Sequence, residues 1–186
     1  MIKGSPLVGQ FLIAMPSLKD PQFERSVMIL CAHSQEGALG LVINQPHPAK
    51  MAHIAQQLGL NWRRPGKQIV YQGGPVAMER GFILYEDILS FPGHLEIVPN
   101  LFMGTNPDIL SHLARPDASE RFLFALGYAG WAEGQLEAEL RENVWLMAPL
   151  DRRILFDLPP SERWTAAIDR LGVNPAFVVN AGCTVN

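Results

Sequence analysis

Hydrophobic positions along this chain fall in short runs separated by turn-forming residues, and the runs carry two different periods. Phe11 to Met15 is solidly apolar and is stopped by Pro16 and a polar turn at Asp20-Pro21, the pattern of a short buried strand. Ser26 to His33 is apolar on both faces: as a regular strand it points Val27, Ile29, Cys31 and His33 one way and Met28, Leu30 and Ala32 the other. Ser34-Gln35-Glu36-Gly37 is turn chemistry, and Ala38 to Asn44 is a second run closed by Pro46 and Pro48, so the pair predicts a hairpin. Pairing His33 with Ala38 across that loop sets Cys31 opposite Gly40, Ile29 opposite Val42 and Val27 opposite Asn44. Gly40 then leaves open space beside the thiol.

Helical spacing first appears at Met51 to Leu58, ending at Gly59. Strands follow at Gln68–Gln72 and Arg80–Tyr85, separated by the tight turn Gly73-Gly74-Pro75-Val76, and another at Leu95–Val98. Pro107 to Leu113 reads as a short helix capped by Thr105 or Asn106, with Asp108 complementing its dipole. The stretch Phe122 to Leu140 organises the rest. It starts as an apolar strand, meets Gly127, Gly130 and Gly134, and leaves as a helix whose Leu136 and Leu140 share a face. Val144–Ala148 and Ile154–Phe156 predict short strands, and Ser161–Leu171 predicts a helix capped by Ser161, after which Phe177, Val178 and Val179 are expected to dock.

Strict alternation of strand and helix is absent. The expected architecture is α+β: a twisted, largely antiparallel sheet forming a pseudo-barrel-like core with a few flanking helices. With 186 residues, 48% of them hydrophobic, the chain is expected to form a single domain over residues 1–186.

A net charge of -3 and a pI near 5.9 argue against general attraction to nucleic acid. The compact basic groups, Arg63-Arg64 with Lys67 and Arg152-Arg153, read as ordinary loop charge. Cys31 and Cys183 are too few for a disulfide framework and suit a reducing compartment. The apolar start, Leu7 to Met15, is interrupted by Gly9 and Gln10, so neither a signal peptide nor a membrane span is expected and the protein reads as cytoplasmic.

Several motifs occur together and in order: Gly9-Gln-Phe-Leu-Ile-Ala-Met-Pro16, Asp20-Pro-Gln-Phe-Glu-Arg-Ser26, Cys31-Ala-His33, Gly37-Ala-Leu-Gly-Leu-Val-Ile-Asn44, Gly73-Gly-Pro-Val76, Arg80-Gly-Phe82, Gly127-Tyr-Ala-Gly-Trp131 and Gly134-Gln-Leu-Glu137. From about residue 8 to 150 the chain resembles the AlgH/YqgE family of uncharacterised bacterial proteins. The resemblance implies a single α+β domain with a pseudo-barrel sheet and no established enzymatic activity. It also marks departures: Tyr85 and Cys183 stand where the family commonly has histidine.

Cys31 and His33 share a face if their strand is regular, and a neighbouring imidazole would lower the thiol pKa. Residues two apart on a strand nevertheless lie nearly 7 Å apart, so a buried, inert cysteine is the simpler reading. His33, His47, His53, His94 and His112 show no metal-ligand spacing, and no cofactor motif is present. Glu133, Glu137 and Arg141 read as a solvated helix face, and Trp131 and Tyr128 as either packing or a ligand platform. The candidate site is a cleft bordered by Cys31, His33, Asn44, Arg80, Trp131 and Gln135, with Asn44 and Gln135 as hydrogen-bonding groups and Arg80 as an anion anchor.

Three readings follow. The first is a regulatory or binding protein that recognises a small ligand or protein partner without chemistry. The second is a thiol enzyme or redox sensor using Cys31 with His33. The third, a DNA-associated transcriptional regulator, comes only from the family name and conflicts with the charge.

Overall fold

A computed structural model describes residues 5–64, 68–86 and 91–172. Its strands are β1 (Phe11–Ala14), β2 (Val27–Ser34), β3 (Gly37–Val42), β4 (Pro46–Lys50), β5 (Ile69–Gln72), β6 (Val76–Tyr85), β7 (Leu95–Val98), β8 (Leu101–Gly104), β9 (Phe122–Ala132) and β10 (Trp145–Ala148). Its helices are α1 (Met51–Gln57), α2 (Pro107–Leu113), α3 (Gln135–Arg141) and α4 (Pro160–Asp169). The strands form one sheet in the order β10-β1-β2-β3-β9-β6-β8-β7, to which β5 adds against β9 and β4 against β5. Among the described residues only the β5–β9 pairing is parallel. The fold is α+β as expected, but the sheet stays open between β10 and β7 rather than closing into a barrel.

β9 joins the two halves of the sheet. Its first part, Phe124 to Leu126, lies between β5 and β6, while Ala129 to Ala132 pairs with β3. The changeover falls at Gly127, whose φ is +71° and where a Cβ would stand 2.4 Å from the Gly74 carbonyl oxygen. Gly74 in turn approaches the Tyr128 backbone so closely that a Cβ would lie 2.1 Å away. These two glycines let backbones cross where side chains would collide. The strand therefore runs through Gly127 and Gly130 and turns into a helix only at Gly134.

One face of the sheet carries a continuous core, including Phe11, Ile29, Leu41, Leu84 and Leu123, roofed by Leu155, Trp164 and Ile168. The other face is divided. Leu12, Met28, Leu30, Trp131 and Trp145 lie under α3, reached by Leu136, whereas Ile83, Tyr85 and Phe124 lie under α1 and α2. Burying each such side chain contributes roughly 1.5–3 kcal/mol. Leu136 is the one buried residue of α3. A helix this short needs tertiary anchors beyond that leucine.

Several expected elements differ. β4 forms despite Pro46 and Pro48, because it lies outside β5 where missing N–H groups cost little. β8 completes a hairpin with β7 through Asn100, which has φ +64°. Ile154–Phe156 belongs to a π-helical turn, Arg153–Asp157, not a strand. α4 starts at Pro160, whose fixed φ suits the first helical position, and Ser161 makes no cap. α2 is capped as expected, with Asn106 accepting from the Asp108 N–H.

The basic groups are not free charge either. Arg64 is buried and donates to the Leu113 and Ser119 carbonyls, while Arg152 pairs with Glu86 and donates to the Pro99 carbonyl. Lys67, Cys183 and the Phe177–Val179 segment lie outside the described residues. No helix among the described residues is long and apolar enough to cross a membrane.

Candidate functional site

The hairpin register changes the thiol geometry. Leu30 pairs with Gly40, but Ala32 then pairs with Leu39 and His33 with Ala38, so Cys31 is the extra residue of a β-bulge. The expected Cys31–Gly40, Ile29–Val42 and Val27–Asn44 oppositions do not occur; Ile29 faces Leu41 and Met28 faces Val42. A bulge advances one strand by one residue and reverses which face later side chains take. Cys31 therefore joins the core beneath α4, while His33, level with Ala38, emerges on the α3 face. The thiol is fully buried and sits against the Ile29 carbonyl oxygen at 3.5 Å. Burial pushes its pKa far upward, only partly offset by the Leu41 backbone.

His33 has other partners. Its Nε2 lies 2.6 Å from Glu137 Oε1 and its Nδ1 2.6 Å from Ser5 Oγ. An ionised carboxylate only accepts, so Nε2 carries a proton and donates to Glu137. The Glu137 carboxyl is held below its ordinary range, first by its own backbone N–H and then by the His33 hydrogen bond.

Asn44 and Arg80 stand apart from both. Asn44 accepts from the Val27 N–H at 2.8 Å and donates to the Arg25 carbonyl at 2.8 Å, closing the turn in which Arg25 has φ +51°. Arg80 stacks 5.5 Å above Phe82 and reaches Thr105 Oγ1 at 3.4 Å, on the other half of the sheet. The six-residue cleft is thus not assembled. The bulge buries Cys31, a turn engages Asn44, and Arg80 lies along β6 beyond the Gly127 crossing.

Trp131 and Gln135 do come together, and the residue that unites them is Glu139. Its Oε2 accepts both indole N–H groups, from Trp131 at 2.8 Å and Trp145 at 2.7 Å. Its Oε1 accepts from Gln135 Nε2 at 2.8 Å, and Gln135 Oε1 receives the Ala132 N–H at 3.0 Å. One carboxylate thereby ties α3 to the end of β9 and to β10. Together with His33–Glu137, it supplies the anchors that one buried leucine does not.

Beside this clamp lies a groove of about 380 Å³ walled by Asp20, Phe23, Trp131, Glu139, Glu142 and Trp145. Trp145 stands nearly perpendicular to both Phe23 and Trp131, at 81° in each case, with centroid separations of 5.7 and 6.2 Å. The turn before β2, the end of β9, α3 and β10 all contribute walls. Sequence reasoning found Trp131 and Gln135 but missed Glu139, although Gln135 and Glu139 are spaced four apart as neighbours on a helix. Asp20, Phe23 and Trp145 are brought in by tertiary folding and carry no local signal. Among the described residues no group of His, Cys, Asp and Glu is arranged to hold a metal ion.

Comparisons with known proteins agree with this architecture. The sequence model of the AlgH-like family matches residues 11–176. A UPF0301 protein of Magnetococcus marinus is 55% identical over 180 residues, covering 97% of both chains. Another, from Photobacterium profundum, is 43% identical and covers 91% of this chain and 94% of its own. The solution structure of the AlgH protein from Pseudomonas aeruginosa superposes with a TM-score of 0.77 at 43% identity, covering 100% of this chain and 99% of that one. A crystal structure from Corynebacterium diphtheriae, with a TM-score of 0.72 at 20% identity over 96% and 94% of the two chains, shares the fold. The chain belongs to the AlgH-like family of UPF0301 proteins.

Proposed function

We propose that this chain is a regulatory binding protein that takes up a small ligand, without a catalytic step, in the groove beside the Trp131–Glu139–Trp145 clamp. The observation that carries the reading is the clamp itself. Three N–H donors converge on one carboxylate and fix two tryptophans and a helix as a ready-made wall. Pre-organised walls reduce the ordering cost that a ligand must overcome. The buried, bulged Cys31 weighs against thiol chemistry, since its sulfur meets neither solvent nor His33. Burial of Arg64 removes one member of the candidate basic patch and weighs against DNA.

The test is a fragment screen read by the indole N–H resonances of Trp131 and Trp145, assigned with single Trp→Phe variants. Ligands of the groove are expected to shift both signals saturably and together. A screen whose hits all map elsewhere, or which yields none, overturns the proposal.

A further inference from the structure

We infer that the groove between Phe23, Trp131 and Trp145 takes an organic cation, a methylated ammonium or guanidinium group. This deepens the binding reading above and rests on it. Phe23 and Trp145 meet edge to face, as do Trp131 and Trp145, so the three rings form corners rather than a stack. All three rings contribute to the lining of the groove, and aromatic rings attract cations to their electronegative π faces.

Glu139 strengthens that preference. An indole that donates its N–H to an anion is polarised toward its ring, which makes the π face a better cation partner. Both tryptophans donate to the same carboxylate oxygen.

Charge points the same way. Asp20, Glu139 and Glu142 line the groove, and no lysine or arginine does. Glu139 is satisfied by neutral donors, so its negative charge is uncompensated by them. Among the described residues the Asp20 carboxylate accepts the Gln22 N–H and meets no cation, and the Glu142 side chain has no partner. An anion would meet like charge on three sides.

An inorganic cation fits less well. It needs several free oxygen lone pairs converging at short range, whereas the Glu139 oxygens are already engaged by three N–H groups. A volume of about 380 Å³ suits a small organic headgroup.

The experiment titrates the full chain with choline, with arginine amide, with 3,3-dimethylbutanol as the neutral isostere of choline, and with acetate, reading both indole N–H signals. The same titrations use Asp20→Asn/Glu142→Gln, which leaves the clamp intact, with thermal melting to confirm that this variant folds. Choline or arginine amide is expected to shift both signals saturably, at least about tenfold more tightly than dimethylbutanol. The double variant is expected to lose about tenfold of that affinity, and acetate to leave the signals unmoved.

If dimethylbutanol or acetate binds as tightly as the cations, the groove is a ligand site but the cation assignment is wrong. If a cation binds equally well to the double variant, the role of the carboxylates falls. If no compound shifts either signal, the cation inference fails, while the binding reading stands or falls with the fragment screen. Tighter binding of a peptide ending in arginine or methylated lysine than of the free cations supports the inference and identifies the headgroup as a protein side chain.

Discussion

Removing the Glu139 carboxylate tests whether the clamp holds α3. In Glu139→Ala, the nearly buried indole N–H groups of Trp131 and Trp145 lose their acceptor, and Gln135 loses its own. Trp131 and Trp145 are only 7% and 4% exposed, so water replaces the carboxylate poorly. Each of the two orphaned buried donors costs about 1–3 kcal/mol, and Gln135, being exposed, adds little, giving a loss of about 2–6 kcal/mol. In Glu139→Gln, one amide oxygen can still serve both indoles as a neutral acceptor, at roughly half the strength, so about 1–2 kcal/mol is lost. For a chain of this size the alanine variant should melt on the order of 10 °C lower. Urea unfolding followed by tryptophan fluorescence measures the free energies, and the indole N–H shifts report the lost acceptor directly. An alanine variant that loses less than about 0.5 kcal/mol, with both indole signals in place, would refute the clamp as an anchor of α3.

Three further outcomes are expected. In a Cys183→Ser background, Cys31 should react with iodoacetamide only through unfolding, at least about a thousandfold slower than in denaturant; rapid native alkylation that depends on His33 would restore the thiol reading. Because the Glu137 carboxyl titrates below its ordinary value of 4.5 in the folded chain, its contribution to stability is complete above that pH and is lost as pH falls through the lower folded value. Glu137→Gln should therefore flatten the acid-side fall in melting temperature, and an unchanged slope between about pH 5 and 3 counts against the His33 link. Gly74→Ala and Gly127→Ala should each cost more than about 3 kcal/mol, since the added Cβ strikes backbone, whereas Gly59→Ala has open space and bears only the positive-φ cost of about 1 kcal/mol; equal losses at the three positions in urea unfolding would contradict the crossing at Gly127.

Much of the fold was legible because the strands here are dictated locally. The apolar runs at Phe11–Ala14 and Val27–Ser34 and the turn at Ser34–Gly37 specify these strands and the hairpin beside its loop, where His33 meets Ala38, but not the register beyond Cys31, and Pro107 with Asn106 specifies the start of α2. Errors came where tertiary partners decide. Pro46 and Pro48 end a strand in isolation but are tolerated where β4 needs no full ladder. Ile154–Phe156 has strand-like composition, yet it forms a π-helical turn that buries Leu155 fully in the core shared with α4.

The site was harder for a more specific reason. A strand reading assigns faces by counting in twos, and the count survives only while the ladder is regular. One extra residue at Cys31 separates it from His33 by the whole thickness of the sheet, although the two are neighbours but one in sequence. The same bulge that removes the thiol from the site places His33 where it can hold Glu137. On the far side of α3, Glu139 does the matching work with the two indoles. α3 is thus gripped along both flanks by carboxylates that, as sequence, look like ordinary surface charge. Their role follows from what faces them across the sheet, and Glu139, held by the two indoles, is at the same time a wall of the groove.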